Sequence, residues 1–252
     1  MLEEKKTTLP YKVIRFLVWL FFPKMEIVGA ENLPDGPALV VGNHTQMNGP
    51  IAGELYFPGD HYIWCAEQMM NAREVPGYAF EDFWSFKPKW THWFFKILAH
   101  LITPLSVCIF NNAHTIPVYR DARVMKTIRE SMRLLEQGAR IIIYPERNEK
   151  FNNILYAFQD GFVDTARFYH RKTGAALPFV PMYIAPALHK MIIGKPILFD
   201  PTRPIEEERK RVCGYLMNEI TDMACALPRH RVVPYRNIPK KDYPFNTPSE
   251  RS

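Results

Sequence analysis

Apolar runs separated by short polar breaks recur along the 252-residue chain in two rhythms. The first is brief, often β-branched and bounded by Gly, Pro, Asn or Asp, and it predicts buried strands. Such runs cover 26–28, Ala38 to Asn43, His61 to Ala66, Thr115 to Arg120, Ala139 to Glu146 and Phe179 to Ile184. The second repeats with a helical period. Residues 122–136 place Val124, Ile128, Met132 and Leu135 on one face, with Asp121 set to cap the start and Gly138 to end it. Helices are also predicted over 51–57, 160–173 (stopped by Gly174) and 205–227. The last opens on Glu206, Glu207 and Glu208, as the helix dipole favours.

The strand ending at Asn43, the helix 51–57 and the strand His61 to Ala66 read as a βαβ unit, hence as a parallel pair. A Gly194-Lys195-Pro196 turn between two short apolar runs predicts a hairpin over 191–199. Residues 67–88, with Pro76 and Gly77, read as an irregular functional loop or lid. Alternation of strands and helices predicts an α/β fold with a mainly parallel central sheet flanked by helices.

Two apolar stretches stand apart from that alternation. Tyr11 to Phe22 is shorter than the roughly 20 residues a membrane span needs, and Lys12, Arg15 and Lys24 flank or interrupt it. It predicts a helix lying among lipid headgroups. Trp90 to Phe110 is broken by His92, Lys96 and His100 and would be kinked at Pro104. It predicts an interfacial or groove-lining helix. The predicted organisation is therefore an N-terminal interfacial helix over 1–24, an α/β domain over 25–227 and a basic, Pro-rich tail over 228–252. The tail is expected to be surface-bound or partly disordered.

Composition changes the picture in one respect. The chain carries 17 Phe, 12 Tyr, 5 Trp and a formal net charge of +6. A basic, aromatic-rich chain suits nucleic acid, phosphorylated ligands or an anionic membrane. No long Lys/Arg run favours nucleic acid, and the aromatics sit in apolar stretches, so a membrane surface is the expected partner. The four cysteines lack metal-ligand spacing and suggest no disulfide framework, so no metal is expected and a reducing, cytosolic setting is the simplest reading. The N-terminal stretch lacks a signal-peptide cleavage pattern.

Three polar residues fall at predicted strand ends: His44, Arg120 and Glu146. In open α/β sheets that edge is where ligands bind. An imidazole can accept a proton near neutral pH. A guanidinium forks onto phosphate or carboxylate, and Glu146 opens a polar run with Arg147, Asn148 and Lys150. Neither a Gly-x-Ser-x-Gly elbow nor a P-loop or Gly-x-Gly-x-x-Gly is present.

Four blocks in order, Val41-Gly42-Asn43-His44, Ile116-Pro117-Val118-Tyr119-Arg120, Ile143-Tyr144-Pro145-Glu146 and Phe179-Val180-Pro181-Met182-Tyr183, resemble the glycerolipid acyltransferases of the lysophosphatidic acid acyltransferase type. The resemblance spans roughly 25–201. It implies transfer of a fatty acyl group from a thioester, on CoA or acyl carrier protein, to a glycerol hydroxyl in phospholipid biosynthesis. No bound cofactor or metal is implied, and the expected setting is peripheral, on the cytoplasmic face of a membrane. His44 would be the general base, with Arg120 and Glu146 holding the acceptor. Where the family has an aspartate after Asn-His, this chain has Gly49. Asn48 beside it could orient the ring, and Glu54, about one helical turn on, could supply charge. Glu146 is followed by Arg147-Asn148-Glu149 instead of Gly-Thr-Arg, so Arg147 or Lys150 would replace the missing cation. The alternative is a catalytically impaired relative that binds lipid or a partner at the membrane.

Overall fold

The computed structural model describes residues 7–247. The first six and last five residues, which include the outer ends of the expected N-terminal segment and tail, lie outside the described residues. The chain divides into two units. The first takes in 23–63 and 128–247, and the second takes in 7–22 and 64–127.

In chain order the helices are α1 (Leu9–Phe21), α2 (Asn48–Tyr56), α3 (Val75–Phe83), α4 (His92–Asn112), α5 (Val124–Glu136), α6 (Val163–Thr173) and α7 (Ile205–Cys225). The strands are β1 (Glu26–Val28), β2 (Ala38–Gly42), β3 (His61–Ala66), β4 (Thr115–Val118), β5 (Arg140–Ile143), β6 (Glu146–Lys150), β7 (Tyr156–Phe158), β8 (Pro178–Ala185), β9 (Lys190–Ile193) and β10 (Ile197–Leu198).

The first unit is built on β2. All five of its residues are buried, because it has a strand on either edge and side chains packed on both faces. Such a strand reads as an unbroken apolar run, as Ala-Leu-Val-Val-Gly does. It pairs parallel with β5 on one edge (Val41 opposite Ile143) and parallel with β8 on the other (Val41 opposite Pro181). Strand order in this unit is β1-β9-β8-β2-β5-β3, with β10 also on β8, and the separate pair β6-β7 forms a small antiparallel sheet. Leu39, Ile141, Phe179, Met182 and Ile184 are fully buried in this core. Each contributes about 1.5–3 kcal/mol by leaving water.

The α/β class and the mainly parallel sheet agree with the sequence, whereas three details differ. β2 and β3 are both parallel to β5, but β5 lies between them, so they are not a direct pair. The expected hairpin over 191–199 does not form. β9 and β10 instead line the same edge of β8 one after the other, both antiparallel to it, since Phe179 and Met182 use their other edge on β2. Finally, the strand expected to run through to Glu146 stops at Ile143, and Glu146 begins β6.

In the second unit α1 packs along α4, and the Thr8 N–H donates to Asn112 Oδ1 at 3.0 Å. The expected irregular loop contains a helix. Pro76 sits in the first turn of α3, where its missing N–H has no role. α4 keeps Ala99 and Ser106 inside, the Ser106 hydroxyl donating to the Met69 carbonyl. It turns Trp93, Ile97, Leu101 and Leu105 outward, four residues apart along one face. Together with the short helix 89–91 it is long and apolar enough to cross a membrane by length and composition.

Candidate functional site

β2 delivers the chain to the site, and Asn43 fixes where it arrives. Asn43 is buried, and its side-chain amide imitates one more rung of the β2–β8 ladder. Nδ2 donates to the Ile184 carbonyl at 2.9 Å, and Oδ1 accepts the Ile184 N–H at 2.7 Å. The next residue, His44, therefore leaves the carboxyl end of the central strand in a set direction.

The loop that follows is strained. Thr45 and Gln46 have φ of 45° and 55°, a region that L residues, and β-branched ones above all, seldom occupy. Such residues cost on the order of 1–3 kcal/mol each and persist where surroundings impose them. Here the Glu146 carboxylate does part of this. Oε1 accepts the His44 backbone N–H at 2.7 Å, and Oε2 accepts the Tyr156 N–H at 2.8 Å. Glu146 thus ties the loop to β7. Burial pushes its pKa up to about 7, against the pull of the two N–H donors. The sequence placed Glu146 on an acceptor, whereas in the structure both of its oxygens accept backbone N–H groups.

The chain then enters α2, which begins at Asn48 and not at 51. The Asn48-Gly49-Pro50 stretch that reads as a turn is the helix's first turn, where Pro50 needs no N–H partner. Gly49 lies against the loop: a Cβ built there would be 2.4 Å from the His44 carbonyl oxygen and 3.0 Å from that of Asn43. No side chain, aspartate included, fits without moving backbone. The Tyr144 hydroxyl donates to the Gly49 carbonyl at 2.7 Å and also lies over Gly53, while the ring of Tyr144 closes on Gly42.

The imidazole of His44 contacts two tyrosine rings. Tyr144 stands edge-on at 5.5 Å between centroids and Tyr235 at 5.7 Å, with interplanar angles of 72° and 83°. Nδ1 is buried with no hydrogen-bond partner, so neither Asn48 nor Glu54 bonds it. Asn48 instead donates Nδ2 to the Thr45 carbonyl at 3.0 Å, and Glu54 is half-buried on α2. Part of His44 still reaches the surface, yet its ring is set deep enough that burial lowers the pKa to about 4, with the Gln46 backbone opposing weakly. The ring is therefore neutral at physiological pH, a weak base that among the described residues has no carboxylate bonded at Nδ1 to stabilise its charged form.

The remaining sequence candidates do not join this cluster through the contacts they make. Arg147 pairs with Glu149 at 2.7 Å and Lys150 Nζ reaches Asn153 at 3.0 Å, both on the exposed β6–β7 sheet. Arg120 belongs to the second unit, exposed after β4. There its charge draws down the pKa of Asp82, which burial raises more strongly. Among the described residues no group of three His, Cys, Asp or Glu is placed to hold a metal ion.

The sequence reading missed Tyr144, Gln46 and Tyr235. The tail, expected to be surface-bound or partly disordered, is attached to the loop: Gln46 Nε2 donates to the Arg236 carbonyl at 3.3 Å and to the Tyr243 hydroxyl at 3.1 Å.

Fold and site define an α/β protein that presents a neutral, deeply set imidazole at the carboxyl end of its central strand. No family model and no curated protein matches the sequence. Among solved structures the chain is similar to the crystal structure of the 1-acyl-sn-glycerophosphate (LPA) acyltransferase PlsC from Thermotoga maritima. The two share 18% identity over 86% of this chain and 81% of that one, at a TM-score of 0.48.

Proposed function

We propose that the protein is an acyltransferase that moves a fatty acyl group from a thioester, on CoA or acyl carrier protein, to a hydroxyl of a lysophospholipid or related glycerol phosphate. The observation that carries this reading is the His44 loop. A strained turn, pinned by Glu146 and Asn43, holds one uncharged imidazole at the strand edge where α/β sheets bind ligands. The order of the four sequence blocks supplies the reaction class.

In this reading His44 takes the proton of the acceptor hydroxyl as its oxygen attacks the thioester carbonyl. The carbon–sulfur bond then breaks, and the proton passes from His44 to the departing thiolate. The outward apolar faces of α1 and α4 bring the protein to a lipid surface. Purified protein given acyl-CoA and a panel of lysophospholipids should release free thiol, measured with a thiol-reactive dye, and His44→Ala should abolish it. Release by His44→Ala at the native rate would overturn the assignment.

One observation favours a second reading. Nδ1 of His44 meets no carboxylate, and losing such an orienting acid costs orders of magnitude in rate. A relative that binds lipid without turning it over would show saturable lysophospholipid binding and no thiol release with any acceptor.

A further inference from the structure

Residues 228–247 follow α7 and return to the His44 loop, held along their length. His230 is buried. Its Nδ1 donates to the Pro228 carbonyl at 2.8 Å, which leaves Nε2 to accept the Tyr183 hydroxyl at 2.9 Å. Asn246 accepts the His230 N–H at 2.9 Å and donates to the Ala224 carbonyl at 2.8 Å. Arg231 bridges to Phe245 and lies over its ring. The segment is therefore a closed strap. Between its two anchored ends Tyr235 meets the imidazole on one side and the Tyr156 ring, at 5.7 Å, on the other.

We propose that this strap is part of the site and that Tyr235 is a positioning residue, its ring holding the His44 imidazole against Tyr144 in the place where a carboxylate would otherwise orient it. Three observations converge on this assignment. Among the described residues the imidazole touches two tyrosine rings and has no hydrogen bond at Nδ1, so these ring contacts join the Gln46 backbone in fixing its rotation. Gly49 leaves no room for an acid on the loop itself. Gln46, two residues from the imidazole, is bonded to the strap at Arg236, the residue after Tyr235, and at Tyr243. Edge-on aromatic pairs have a preferred geometry and so transmit orientation as well as contact. The titratable groups in contact with the ring are Tyr144 and Tyr235, and Tyr156 packs behind Tyr235. Glu146 acts on the backbone of His44, not on its ring.

The rate consequence rests on the acyltransferase reading; the effect on His44 itself does not. The test combines NMR titration of His44, assigned by comparison with His44→Ala, and thioester kinetics on the full chain. In Tyr235→Ala the His44 midpoint should rise from about 4 toward 6.5 as the ring gains water. The kcat should fall roughly tenfold, with KM little changed, as a misplaced catalytic group predicts. Tyr235→Phe, which keeps the ring, should restore both. Tyr243→Phe, which loosens the strap at Gln46 without touching the ring pair, should shift the midpoint the same way by less.

An unchanged His44 midpoint in Tyr235→Ala would overturn the proposal. So would a Phe variant as impaired as the Ala variant. If the native chain turns over no thioester while the midpoint moves as described, the acyltransferase reading fails and the positioning role stands.

Discussion

At the level of single residues, His44 and Glu146 make one prediction between them, because folding shifts their pKa values in opposite directions. His44 falls from 6.5 to about 4, so between those values the unfolded chain binds the extra proton and stability rises with pH. Glu146 rises from 4.5 to about 7, so between those values the folded chain binds the extra proton and stability falls as pH rises. Each slope is about 1.4 kcal/mol per pH unit, and from pH 4.5 to 6.5 they cancel. Glu146→Gln removes one of them. Urea midpoints of that variant should climb with pH across 4.5 to 6.5, where those of the native protein stay nearly level. The variant should also be less stable by about 1–3 kcal/mol at the pH of best stability. An amide has one acceptor oxygen where two N–H groups need partners, so one buried donor is left unmet. A native protein whose midpoint rises as steeply as the variant's would contradict the pairing.

Gly49 carries the second prediction at this scale. Read against an acyltransferase pattern, Gly49→Asp looks like a repair. The backbone says otherwise, since the new Cβ would sit 2.4 Å from the His44 carbonyl oxygen. The substitution should lower stability by about 1–3 kcal/mol, as overpacking does, and should not raise thiol release. A gain in kcat at unchanged stability would show that the loop can yield.

Among the elements, β2 and its Asn43 extension set the register on which the site depends. Asn43→Ala strips Ile184 of both its N–H and C=O partners in a buried setting. It should cost about 2 kcal/mol or more, seen as a lower urea midpoint, while Asn43→Asp should keep the acceptor half of the bond and lose less at acid pH. The reach of the sequence can be judged on the same elements. β2, β5 and β8 were legible because a strand buried on both faces has no polar alternation to confuse the reading. The place of β5 between β2 and β3 was not, since pairing order leaves no mark on local composition. α3 was hidden by Pro76-Gly77, which read as breakers but open a helix when they fall in its first turn. Of the site, His44 and Glu146 stood out as polar residues after apolar runs. The direction of Glu146 toward backbone did not, because it depends on N–H groups of Tyr156 and of His44, the latter 102 positions away. Tyr235 left no signal at all. A Pro-rich, basic tail gives no hint of order when its anchors are a His230 ring, an Asn246 amide and a Gln46 side chain 197 positions from Tyr243.

For the molecule as a whole, the proposed lipid-surface setting raises the question of which force would bring it there. The net charge of +6 attracts anionic headgroups by about 1 kcal/mol for each basic residue near the surface, and salt screens that attraction within roughly 8–10 Å. The apolar contribution is larger for each residue and insensitive to salt. α1 exposes Val13, Phe16 and Leu20, and α4 exposes Trp93, Ile97 and Leu101. Each gains up to about 1.5–3 kcal/mol when its surface leaves water. Lys12 and Arg15 on α1 and Lys96 on α4 are too few to rival that sum. Sedimentation with vesicles should therefore weaken only partly when salt is raised from 0.05 to about 0.5 M, and should persist on vesicles of neutral lipid. Replacing Trp93, Ile97 and Leu101 together by Gln should reduce it on both vesicle types. These side chains lie on the outward face of α4, opposite the buried Ala99 and Ser106, so the variant should keep the melting temperature of the native chain. Complete release by salt, with no effect of the Gln variant, would instead make charge the dominant force.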